Sequence, residues 1–228
     1  HESVFRTPHS ALTRSHPVFL ALGETIRRHR IPAEPFHHLI TAFLQDQRVT
    51  RYRTFEEVLG YCRYSANPVG RLVLCLCGYR DEERQRLSDF TCTALQLANF
   101  WQDVRVDLEK GRIYIPLDDM ERFGYAEGQL LRRECTPAFR RLMRFEVERA
   151  RELFQAGRPL AGLVDRRLAT DIELFTEGGL EILRLIERQD YDVLSRRPAL
   201  HGRHKLRLLA AALFRRFFRP VRPVPLPT

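Results

Sequence analysis

The stretch TALQLANFWQDVRVDLEKGRIYIP, residues 93–116, decides the fold class. Apolar residues recur in it at spacings of three and four, as in a helix buried on more than one side, and Gly111 marks its stop. Gln96, Asn99, Asp103 and Asp107 stand three, four and four apart, which puts them on one helix face. A bare DxxxD on a surface helix is usually a solvated stripe. Here Leu95, Leu97, Ala98, Phe100, Trp101 and Val104 surround it, so the stripe must face solvent or a polar cavity inside a bundle. Two carboxylates with no basic partner at helical spacing suit a divalent cation. Mg²⁺ is typically held by one or two carboxylates plus substrate phosphates, so Asp103 and Asp107 are the candidate metal ligands of a diphosphate site.

Outward from that stretch the same period persists and long alternating β-branched runs are missing, so the class is all-α. Helices are expected near 17–30, 34–47, 54–78, 81–108, 118–123, 136–156, 165–189 and 203–219. Pro32, Gly111, Pro116 and Pro198 mark boundaries, with Thr136 and Pro137 as a cap and first-turn pair. A helical domain is expected over 1–200, followed at 201–228 by a basic amphipathic helix and a Pro-rich tail. The longest apolar run, Leu208 to Phe214, is far short of the roughly 20 residues that span a bilayer. The opening residues lack the apolar stretch of a secretory signal.

The net charge of +9 over 228 residues divides unevenly. Residues 1–192 carry 29 basic and 29 acidic side chains, and residues 193–228 carry nine basic and none acidic. A neutral body gives no basic footprint for nucleic acid. In KLRLLAAALFRRFFR, apolar residues at helical spacing are flanked by basic ones, the pattern of a helix lying on an anionic membrane surface. The five cysteines are odd in number and include no CxxC pair, as expected for reduced thiols and a cytoplasmic location, with peripheral contact at the inner face of the membrane.

A second segment, YCRYSANPVGRLVL at residues 61–74, places Tyr61 and Tyr64 ahead of Ser65, Ala66 and Gly70. Small residues permit close approach of another helix or of a ligand. Pro68 removes a backbone hydrogen bond and is expected to kink the helix.

Together, the YC-led small-residue helix, QxxNxxxDxxxD and KGRxYxP resemble the squalene and phytoene synthase family, the head-to-head prenyl diphosphate condensing enzymes. NFWQDV, CRYSANPVGR and YDVLSRRPAL look most like its hydroxysqualene synthase branch of hopanoid biosynthesis. The resemblance implies an isoprenoid-synthase-like bundle around a central apolar channel, with Mg²⁺ and a prenyl diphosphate bound at its mouth. It matches Asp103 and Asp107 to the second aspartate-rich motif, with Gln96 and Asn99 beside them at the substrate. Arg112 and Tyr114 match the loop that approaches the diphosphate, Tyr61 the tyrosine near the reacting carbons, and Tyr191 a late tyrosine reaching the phosphate region. Tyr61 and Tyr64 would offer ring faces to cationic carbons. The family's first aspartate-rich motif is absent, since residues 1–16 contain no Asp and neither Asp46 nor Asp81 has a second acid four residues away. The expectation is therefore a domain lacking its first helices, with apolar surface exposed where they would pack. Conversion of presqualene diphosphate to hydroxysqualene is the activity implied. Phytoene or squalene synthesis, or a non-catalytic protein that keeps the fold, are the alternatives.

Overall fold

The computed structural model describes residues 16–200 and Gly202, and all regular structure there is helical. The helices are α1 (Pro17–His29), α2 (Glu34–Gln45), α3 (Phe55–Ser65), α4 (Asn67–Leu76), α5 (Glu82–Glu109), α6 (Leu117–Arg122), α7 (Glu127–Leu131), α8 (Pro137–Gly157) and α9 (Arg166–Arg188). A 3-10 turn at Arg158–Gly162 joins the last two. The expected helix at 203–219 and the 201–228 segment lie outside the described residues.

Side chains that satisfy the free amides of the first turn set the starts. Thr54 accepts from Glu57 N at 3.2 Å, Asp81 from Arg84 N at 3.0 Å, Thr136 from Phe139 N at 3.2 Å, and Asp165 from Arg167 N at 2.9 Å. Pro137 follows its cap inside the first turn, as the sequence implied.

The single helix expected at 54–78 is two. Ala66, at φ −116° and ψ −50°, separates α3 from α4. Pro68 has no N–H for the ladder, its ring displaces the carbonyl four residues back, and it disfavours helical geometry at the preceding residue. Asn67 is buried at the break and its Oδ1 accepts from Thr93 Oγ1 of α5 at 2.9 Å. Gly70 lets α4 come close to α5, since a Cβ there would lie 2.3 Å from Ser88 Oγ and 2.6 Å from Cys92 Sγ. α7, five residues long, has too few turns to show a period and was not anticipated.

α5 runs 28 residues, about 42 Å at 1.5 Å per residue, and packs against α4, α8 and α9. Trp101, Leu97, Phe139, Leu142, Met143, Phe154 and Leu183 are fully buried between α5, α8 and α9. A smaller cluster, including Leu74, Leu87, Leu160 and Leu168, closes the other end. The crossing of α8 over α5 needs Gly157, whose Cβ would stand 3.0 Å from the backbone N of Thr91. All five cysteines are free, with Cys62 and Cys75 buried and Cys77 exposed. α1 exposes Val18, Phe19, Leu20 and Leu22, α2 exposes Ile40, Phe43 and Leu44, and α4 exposes Val69, Val73 and Leu76. No helix among the described residues is long and apolar enough to cross a membrane.

Among the described residues two acids, Glu146 and Glu181, lie wholly inside the packed core. Glu146 of α8 has no exposed surface; Asp119 of α6 is buried nearby, and Arg149 holds Asp119 at 2.6 Å. The Arg149 guanidinium lies 4.2 Å from the Phe55 ring centroid and 4.1 Å from that of Phe145. Burial pushes the Glu146 carboxyl up to about 8, with Arg149 opposing and the Asp119 charge adding to the rise. From the ordinary carboxylate range up to about 8 the folded chain keeps a proton that the unfolded chain has lost, so stability falls as pH rises through that window. Glu146→Gln, which cannot ionise, is expected to flatten this loss: the melting temperature of the wild type falls between about pH 5 and pH 9, and that of the variant falls less. Parallel slopes in thermal melts followed by circular dichroism would contradict the assignment.

Candidate functional site

The polar stripe of α5 follows from helical geometry, at about 100° per residue. Leu95, Ala98, Asn99 and Gln102 look to one side, Phe100, Val104 and Leu108 to the opposite side, and Gln96, Asp103 and Asp107 lie on the arc between. Each side borders a cavity. The larger, about 420 Å³, lies between α5 and α9 and is lined by Leu95, Ala98, Asn99, Phe175, Gly178 and Leu200 among others. The smaller, about 10 Å³, is lined by Phe100, Asp107, Arg112, Tyr114 and Leu130 among others. The stripe thus borders two cavities, Asn99 lining the first and Asp107 the second, where the spacing alone suggested one.

Around the smaller cavity the candidates converge. Tyr114 stacks on Phe100 with centroids 3.8 Å apart and planes 8° from parallel. Tyr61 of α3 lies 5.9 Å from Tyr114 and 6.1 Å from Phe100, and Tyr52 completes the group at 5.7 Å from both tyrosines. Burial drives the phenols of Tyr52, Tyr61 and Tyr114 above the ordinary tyrosine value. For Tyr61 a hydrogen bond with the Asp46 carboxylate adds to the rise. Arg112 donates from Nη2 to the Asp46 carbonyl oxygen at 3.0 Å, which ties the loop after α5 to the end of α2. Tyr61, Arg112, Tyr114 and Asp107 are therefore one neighbourhood. Asp46, set aside in the sequence because no second acid follows it, belongs to that neighbourhood through its own backbone and carboxylate. Tyr52, which no motif marked, joins it through ring contacts.

The two aspartates are not without cations. Asp103, 28% exposed at its side chain, is gripped through both oxygens by Nε and Nη2 of Arg197, the second at 3.2 Å. Asp107, 15% exposed, has Lys110 Nζ at 3.6 Å, three residues on. The expectation of carboxylates without a basic partner at helical spacing is corrected here: Lys110 is such a partner, reached because the last turn of α5 brings position i+3 over Asp107. Burial raises the Asp107 carboxyl, Lys110 lowers it, and the Asp103 charge raises it again. Among the described residues no group of three or more His, Cys, Asp or Glu side chains is placed to hold a metal ion.

Tyr64 and Tyr191 sit apart from this neighbourhood. Tyr64 packs edge-on against His38 of α2 at 4.9 Å. Tyr191 is buried beneath Arg144, whose guanidinium carbon is 5.3 Å from the ring centroid. Asp190 and Tyr191 both have left-handed backbones, φ 53° and 60°. Arg140 holds the reversal by donating to the Asp190 carbonyl and carboxylate, each at 2.5 Å. Residues 192–200 then form a strap along α5: Arg105 donates to the Ser195 carbonyl at 2.8 Å, Arg197 pairs with Asp103, and buried Gln102 donates to the Pro198 carbonyl at 2.6 Å. Arg197 and Gln102 carried no signal in the sequence, because their partners lie more than 90 residues away.

Known proteins share this fold. The squalene/phytoene synthase family profile matches residues 2–204. A solved squalene synthase HpnC from Alicyclobacillus acidocaldarius is 50% identical, with a TM-score of 0.76, over 78% of this chain and 67% of that one. A dehydrosqualene synthase solved with a ligand shares the fold at a TM-score of 0.80 and 23% identity, over 88% of this chain and 71% of that one. A phytoene synthase of Arthrospira platensis is 33% identical, over 87% of this chain and 69% of that protein. The 15-cis-phytoene synthase of Synechocystis is 34% identical over 86% of this chain, which spans 62% of that protein's length.

The larger cavity can be narrowed from its wall. A Cβ at Gly178 of α9, on its wall, meets nothing within 4 Å. Gly178→Leu is expected to keep the helical content and melting temperature of the parent while reducing binding of an apolar fluorescent dye. Unchanged dye binding would show that the cavity is not the apolar receptor.

Proposed function

Since this chain belongs to the squalene/phytoene synthase family, a family of transferases, we propose that it acts in head-to-head prenyl diphosphate chemistry. Its step in this reading is conversion of presqualene diphosphate, made from two farnesyl diphosphates, to hydroxysqualene. The observation that carries the reading is the juxtaposition at the end of α5. A partly buried carboxylate, the Arg112 guanidinium and a group of neutral aromatic rings meet at one small cavity, and an apolar cavity opens on the other side of the same helix. The 50% identity to the squalene synthase HpnC, against 33–34% for the phytoene synthases, favours the hopanoid-type product over phytoene.

The donor set fits Mg²⁺. Two carboxylates one helical turn apart suit an ion that completes its shell with waters and substrate phosphates. Asp103 and Asp107 would hold it, and when bound it would neutralise charge on the leaving diphosphate. Arg112 and Lys110 would take up the remaining negative charge, with Asn99 and Gln96 orienting the substrate along the stripe. Tyr61 and Tyr114, kept protonated by burial, would offer no phenolate to trap the rearranging cation. Walls such as Leu95, Ala98 and Ile182 would limit water to the molecule that adds its oxygen to the cation and releases a proton. A non-catalytic role is the second reading, favoured by the ion pairs that both aspartates already make.

Asp103→Asn and Asp107→Asn decide between the two. Each is expected to cut Mg²⁺-dependent turnover of presqualene diphosphate by about 100-fold, the scale of losing one charge-stabilising group, at unchanged helix content. Variants that match an active parent at limiting Mg²⁺ would remove both aspartates from the metal site, and a parent without turnover would support the non-catalytic role.

The reading extends to location: a cytoplasmic enzyme whose basic tail rests on the anionic inner face of the membrane, where an insoluble product can leave. Each basic residue near such a surface contributes about 1 kcal/mol. The 228-residue chain is expected to co-sediment with anionic vesicles at low salt, and a chain ending at Leu213 to remain largely in the supernatant. Equal sedimentation of the two would remove the tail from the account.

A further inference from the structure

We propose that Arg197 is a resident counter-ion that a metal ion must displace from Asp103, so that metal binding loosens the 192–200 strap at the rim of the larger cavity. The inference rests on the Mg²⁺ reading of Asp103 and Asp107 given above. Three features of the structure carry it. The guanidinium grips Asp103 through two nitrogens, so one lone pair of each carboxylate oxygen is taken and its negative charge is already matched by a cation. The pair is half open, with 46% of the Arg197 side chain and 28% of that of Asp103 exposed, so water and ions reach it, and exposed pairs are weakly held. Arg197 also lines the larger cavity with Asn99, Ala199 and Leu200. The state of the carboxylate and the edge of the cavity therefore share one side chain.

The other tethers of the strap do not involve the candidate metal ligands. Arg105 holds Ser195 on one side and Gln102 holds Pro198 on the other. An ion shared by Asp103 and Asp107 would remove the Arg197 tether and leave these and the bond from Gln189 Nε2 to the Arg196 carbonyl. Arg197 would then stay at the rim, its charge free for an anionic group. Arg197 is in this account a positioning residue that acts through Asp103.

The test uses the 228-residue chain with Mn²⁺ as a paramagnetic probe, alone and with inorganic pyrophosphate, and hydrogen exchange of the Ser195, Arg196, Arg197 and Ala199 amides. By reciprocal coupling, Arg197→Gln is expected to bind Mn²⁺ alone about tenfold more tightly than the parent. Mn²⁺ with pyrophosphate is expected to speed strap exchange in the parent, whereas in Arg197→Gln the strap exchanges fast from the start. Arg196→Gln, next door but off Asp103, is expected to match the parent. Arg197→Lys, which keeps the charge without the fork, is expected to fall between, and guards against misfolding of the Gln variant. An equal or weaker Mn²⁺ affinity in Arg197→Gln, or strap exchange indifferent to metal in the parent, overturns the displacement. If the Asn variants of Asp103 and Asp107 lose Mn²⁺ in those experiments, the metal site stands and only the displacement falls. If neither parent nor Arg197→Gln binds Mn²⁺ or pyrophosphate, both fall together.

Discussion

α5 is enclosed by α4, α8 and α9, and that enclosure fixes what its charged residues can do. A helix surrounded on most of its circumference has only a narrow arc where carboxylates escape full burial. Asp103 and Asp107 occupy that arc. One flank of it is aromatic, through Phe100 and its stack on Tyr114, and the other is aliphatic and open, through Leu95 and Ala98. Polar and apolar functions are thus separated by rotation about one axis rather than by distance along the chain. Gly70 and Gly157 belong to the same constraint, since they let the neighbouring helices approach near enough to close the circumference.

Acids at two depths show how burial and pairing divide the work. Glu146, without exposed surface and beside Asp119, keeps its proton to about 8 even with Arg149 nearby. Asp107 is raised by partial burial and by Asp103, but Lys110 and Arg112 draw it down. The first arrangement stabilises the joint between α6 and α8 through a shared cation stacked on Phe55 and Phe145. The second holds negative charge at a cavity wall, where an incoming cation can reach it. Desolvation acts on both, and the difference lies in how much water remains and how many cations are in reach.

The periodic part of this architecture was legible from residues alone. A 3.6-residue repeat and side-chain caps such as Thr136 are local, so the long helices emerge nearly to the residue. Pro68 was read as a kink and proves a break, because its effect combines with the polar contact between Asn67 and Thr93, which no local pattern announces. In the candidate site, Gln96, Asn99, Asp103 and Asp107 on α5 and Arg112 and Tyr114 in the loop after it were legible because they are close in sequence. Asp46, Tyr52, Gln102 and Arg197 were not, since each acquires its place only when chain segments far apart in sequence pack together. The pairing of Asp103 with Arg197 spans 94 residues, and no periodicity encodes a contact of that kind.

The strap has a direction as well as a set of tethers. Ser195 lies by Arg105, Arg197 by Asp103 and Pro198 by Gln102, so the chain runs antiparallel to α5, from the carboxylates toward Leu95, and brings Leu200 to the wall of the larger cavity. The turn at Asp190 and Tyr191 thereby decides which stretch of chain edges the opening between α5 and α9.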